Sequence, residues 1–133
     1  MAELDSLLNT DNSNTALSNG ASNVSTLDDS IRALAGMFAR WYNDNNGSNT
    51  TTGGPTAYTL ALNRTGITTN TNVRTLKVRF NVANSGACTL QCNALAALPL
   101  RKAGNAALVT GDILANDVKD IVYNPANATW QVL

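Results

Sequence analysis

The feature that most constrains this chain is a change in its hydrophobic period. From residue 24 to residue 41 the large apolar side chains recur at spacings of 3, 4, 3, 4 and 3, as Val24, Leu27, Ile31, Leu34, Phe38 and Trp41. Beyond the Gly-Gly-Pro at 53–55 the spacing falls to two: in "RTLKVRFNV", Leu76, Val78, Phe80 and Val82 alternate with Thr75, Lys77, Arg79 and Asn81. The first period belongs to a helix with one apolar stripe, the second to strands with one buried face. One helix followed by a mainly β body is therefore expected.

The helix has both of its signals. Ser25 or Thr26 is placed to cap it, with Asp28 and Asp29 in the first turn, where carboxylates suit the positive end of the dipole. "NDNNG" stops it, with Gly47 or an asparagine as the left-handed cap. The expected span is 26–46. Its stripe reads as a heptad seam, with Val24, Ile31 and Phe38 at one core position and Leu27, Leu34 and Trp41 at the other. The same stripe serves a helix packed on a sheet, so spacing alone leaves both open. So short a helix is marginal in isolation, and something must cover this face.

Residues 1–25 read as an extended arm. They are rich in Asn and Ser, show no sustained period and carry isolated leucines, Leu4, Leu7, Leu8 and Leu17. Such a composition does not offset its own ordering entropy, which makes those leucines candidate anchors on a partner. Residues 47–55 read as a linker. Over 56–133 the strands "TAYTLALN", "RTLKVRFNV", "ACTLQCN" and "LAALPLRK" and a closing hairpin through "NPAN" predict a small antiparallel sandwich or barrel-like domain. Pro99 marks its strand as an edge. An Ala-rich helix over 87–98 is the lesser alternative.

Composition removes most chemistry. The 133 residues contain no histidine, so Ser-His-Asp, Cys-His and zinc-hydrolase constellations are excluded, and no enzyme activity or cofactor is expected. Nineteen asparagines and 16 threonines leave a largely uncharged polar surface. No run approaches a membrane span, and the acidic start lacks the apolar core of a signal peptide, so assembly in a cytoplasm is expected. The net charge is zero but unevenly spread. Residues 1–48 carry six acids, and residues 49–102 carry six bases and no acid. Arg74, Lys77, Arg79, Arg101 and Lys102 are thus a candidate basic contact face for an acidic neighbour, or simply a solvated strand face. Nucleic acid is not expected, because Phe80 alternates away from Lys77 and Arg79 and leaves no stacking ring beside them.

Cys88 and Cys92 share a strand face at ~13 Å, given about 3.3 Å per residue. They cannot pair with each other there, so they are buried thiols or partners in inter-subunit disulfides. Tyr58, Tyr123 and Trp130 are the only aromatic candidates in the β region for a glycan platform, the alternative function, and all three sit at alternating positions that favour the core.

"DDSIRALAGMFARWYNDNNGS", then "TTGGPTAYTLALN", then the run from "FNVANSGACTLQCNALAALPLRK" to "WQVL" together resemble the N-terminal module of bacteriophage tail-fibre proteins. The resemblance covers residues 26–133 and is most specific over Asp28–Trp41 and Asn84–Ile113. It implies a virion structural protein, a homotrimer docked on other virion proteins of head, collar or tail, with the seam as a three-helix bundle. Phenylalanine and tryptophan at consecutive core positions suit that wider core. Family fibres continue into a shaft and tip, so a short fibre, adaptor or decoration protein is expected here. Cysteines stand at 88 and 92 where the family has small residues, which allows cross-links.

Overall fold

The computed structural model describes residues 24–133, with side chains from Asp29 onward. The arm leucines Leu4, Leu7, Leu8 and Leu17, and the side chains of Val24 and Leu27, lie outside the described residues. The chain divides into two compact units between Trp41 and Tyr42. In the first, the described part is helix α1, which runs Val24–Asn45 and so hands its last turn to the second unit. The helix starts two residues before the expected position. Ser25 and Thr26 therefore lie inside it rather than capping it, and neither Asp28 nor Asp29 is in its first turn.

The second unit contains β1 (Thr52–Gly54), β2 (Ala57–Leu60), the single turn α2 (Asn70–Val73), β3 (Thr75–Arg79), β4 (Thr89–Cys92), β5 (Leu98–Arg101), β6 (Val118–Asn124) and β7 (Thr129–Val132). All seven strands join one curled sheet in the order β1-β2-β4-β5-β7-β6-β3. It is mixed, not antiparallel as expected: β2 with β4 and β5 with β7 run parallel. Alternation of apolar and polar residues is the same in both orientations, so the pattern could not distinguish them. The long excursion between β2 and β4 supplies the crossover that a parallel pair needs. Residues 87–98 hold β4 and the start of β5, not a helix.

Pro99 also departs from expectation, since β5 is interior. Leu98 and Pro99 pair with β4, whereas Leu100 and Arg101 pair with β7. The proline thus stands where the strand exchanges one neighbour for the other, a place where a missing N–H is tolerated.

The expected linker is likewise built into the sheet. Arg79 N donates to Asn49 O and Thr51 N to Arg79 O, both at 2.9 Å, which joins this segment to β3. Asn81 seals the junction: its N–H donates to Thr51 Oγ1, Thr51 Oγ1 to its Oδ1 at 2.8 Å, and its Nδ2 to Gly53 O at 3.0 Å. Residues 49–54 therefore bridge the two ends of the sheet, pairing with β3 first and β2 next. Gly53 is required there. Its φ is +92°, and a Cβ would lie 2.4 Å from Ala57 O.

Alternation places the core inside this curl. Leu76, Val78 and Phe80 from β3 and beyond, Cys88, Leu90 and Cys92 along β4, and Leu100, Ile121 and Trp130 are all buried. Tyr58 meets Phe80 edge-on at 4.9 Å, and Tyr123 meets Trp130 at 5.4 Å. Burial of the Tyr58 ring leaves its hydroxyl one partner, Val82 O at 2.9 Å.

Candidate functional site

The seam residues that are described lie on one side of α1. Ile31 and Phe38 are each 57% exposed and Trp41 is 40% exposed, while Leu34 is half-buried. The rings of Phe38 and Trp41 lie 5.8 Å apart and tilted, so the two form one aromatic surface. Ile31, Phe38 and Trp41 thus present one exposed apolar stripe along the helix. Tyr42, 60% exposed, follows them and was not among the expected seam residues. Met37 was missed as well and is buried. It lies seven residues before Asp44, so the two share a line along the helix, rotated away from the exposed stripe.

Asp44 anchors the end of the helix. It is fully buried and accepts from Asn63 N at 2.7 Å, Asn63 Nδ2 at 2.9 Å, Arg64 N at 3.3 Å and Arg64 Nε at 2.8 Å. Arg64 extends further, with one Nη donating to Val73 O at 3.0 Å, where α2 ends. Asn45 Oδ1 receives Thr75 Oγ1 at 3.4 Å. A charge this buried is tolerable only when its lone pairs are filled, and here they are. In the sequence Asp44 lies in the "NDNNG" stop and Arg64 in the acid-free stretch 49–102. No spacing rule links two residues 20 apart.

The five expected basic residues do not converge. Lys77 faces Asp120 across β3–β6 at 3.6 Å, and Lys102 meets Asp112 at 2.9 Å. Arg74 follows α2 at φ +62°, and Arg79 is exposed at the end of β3. Arg101 lies on β5, separated from β3 by β7 and β6. The acids of residues 103–133 thus neutralise part of the face that the sequence showed as purely basic.

Cys88 and Cys92 both turn into the core, 4% and 0% exposed. Burial pushes the Cys88 thiol up to about 11, with the Asp112 charge adding to it. Burial pushes Cys92 up to about 12, Asp44 adding and Arg64 opposing. Both sulfurs are buried, so an inter-subunit disulfide would require the core around them to open. Tyr58 and Trp130 are buried and Tyr123 is half-buried, so these rings form no open platform for a sugar. Among the described residues no helix is long and apolar enough to cross a membrane, and no cluster of three or more metal-ligating residues occurs. No protein-family model matches the chain, and no curated protein is significantly similar to it.

Proposed function

We propose that this chain is a non-enzymatic structural protein of a bacteriophage particle, a short fibre, adaptor or decoration protein. It assembles as a homotrimer through α1 and attaches to other virion proteins through its N-terminal arm. The exposed stripe Ile31, Phe38 and Trp41 carries this reading. Its heptad spacing matches a second and third copy of the same helix, and burying it returns about 25 cal/mol per Å² of apolar surface. The β-unit supports the same route. Its sheet ends are joined through residues 49–54, which favours a barrel-like body and leaves side-chain faces, rather than open strand edges, for association.

Light scattering on the purified chain tests the reading. Wild type is expected at the mass of a trimer at micromolar concentration. Phe38→Asp/Trp41→Asp is expected at the monomer mass with its β-unit folded. A wild-type monomer at that concentration would end the assembly claim, and absence of the protein's density from intact virions would end the particle claim.

A further inference from the structure

Arg74 stands in a backbone conformation that L-residues avoid, with φ at +62° and ψ at −77° directly after α2. This is the γ-turn region of positive φ, rare and strained for a residue that carries a side chain. Glycine is the usual occupant after a helical turn. Among the described residues, three of the other four non-glycine residues with positive φ are asparagines, which tolerate it. Strain of this kind persists only where neighbours fix both sides. Ahead of the turn, Val73 is fully buried and its carbonyl accepts from an Arg64 Nη at 3.0 Å. Behind it, Arg74 O accepts from Tyr123 N at 2.7 Å, and Thr75 pairs with Val122 on β6. Arg64 is itself aimed by Asp44, in the last turn of α1, to which its Nε donates at 2.8 Å.

We propose that this turn is a strained latch: Asp44, acting through Arg64, holds the 73–74 peptide in a high-energy orientation, and withdrawal of Asp44 lets that peptide flip. Taking φ of Arg74 from positive to negative without moving the flanking Cα atoms rotates the 73–74 peptide plane and swings Val73 O. That oxygen is the one Arg64 grips, so the Arg64 hydrogen bond directly opposes relaxation of this dihedral. The bond from Tyr123 N lies beyond the next peptide, so β3 keeps its register on β6 when the flip occurs. The exposed Arg74 side chain turns with its backbone. The latch therefore couples the state of the helix end to the direction in which this cation is presented. The opposing energies are matched. Strain at one such residue and a hydrogen bond to a charged group each change an equilibrium by roughly tenfold to a hundredfold, so neither swamps the other.

The test compares wild type with Arg64→Lys in the full chain. Lysine keeps a cation against Asp44 but lacks the planar fork that also reaches Val73 O. A positive φ brings a residue's own N–H and Hα close together, which gives a strong intraresidue nuclear Overhauser effect. Residue 74 is expected to show it in wild type and to lose most of it in Arg64→Lys. Arg74→Gly supplies the energetic arm, by denaturant titration. The folding equilibrium constant is expected to gain about tenfold more from this change in wild type than in Arg64→Lys, because only wild type holds the strain. The freedom that glycine adds to the unfolded chain is common to both and cancels. If Arg64→Lys does not fold, Asp44→Ala/Arg64→Met serves the same comparison with no buried charge left. A weak Overhauser effect at residue 74 in wild type, an undiminished one in the variant, or an equal effect of Arg74→Gly in both backgrounds overturns the latch.

Discussion

Asp44 puts a carboxylate one residue from the C-terminal end of α1, where the helix dipole is negative and favours cations. It persists there because two backbone N–H groups, an amide and the Arg64 guanidinium surround it. Removing one partner of a buried pair costs more than removing both. Asp44→Ala is therefore expected to lower unfolding free energy by about 3–5 kcal/mol, measured by denaturant titration. Asp44→Ala/Arg64→Met should recover the part of that loss that comes from the stranded guanidinium, while the N–H donors of Asn63 and Arg64 stay without their acceptor. Equal loss in the single and double variants would place the whole cost in those donors rather than in the charge pair. The cysteines make a second residue-level prediction. With thiols raised to about 11 and about 12, the native chain at pH 8 should leave both unreacted with a disulfide reagent, and the unfolded chain should expose two. Because the folded pKa values lie above the ordinary thiol value, this stabilisation is complete below that value and is lost as pH rises through the folded ones.

At the scale of elements, α1 and β3 were legible because each has an uninterrupted period and ends at a clear signal. β1 was not. "TTGGP" has the composition of a linker, and its place between β2 and β3 depends on Asn81 and Arg79, about 25 to 30 residues away. Pro99 misled for a related reason: the edge rule assumes that a strand keeps its neighbours, and β5 changes them at the proline. The turns at 109–113 and 114–118, each closed by a backbone N–H donating to an aspartate three residues on, carry their own prediction. The N–H of Val109 first, then Lys102, holds Asp112 below the usual carboxylate range; the N–H of Leu114, then Lys119, does the same for Asp117. Their contribution is complete above the ordinary carboxylate pKa and is lost as pH falls through the lowered values. Acidification should lower the protection of the Val109 and Leu114 amides, taken relative to the intrinsic exchange rate at each pH, before the sheet opens. In Asp112→Asn/Asp117→Asn that step should vanish, and its survival would place the titration elsewhere.

For the molecule as a whole, the sequence by itself determined that one helix with an apolar stripe precedes a β body and that His-dependent chemistry is excluded. These follow from periodicity and composition, which are local or additive properties of the chain. It also located most of the strands and turned Cys88, Cys92 and Phe80 to one kind of face, since alternation is local too. Tertiary structure alone decided the strand order, the two parallel pairings and the bridging of the sheet ends by residues 49–54. It also drew Lys77 and Lys102 to Asp120 and Asp112, dissolving the single basic face, and joined Asp44 to Arg64. Each of these depends on which distant segments meet. Residues far apart in the chain interact only after the backbone has paired, and no local pattern encodes that pairing.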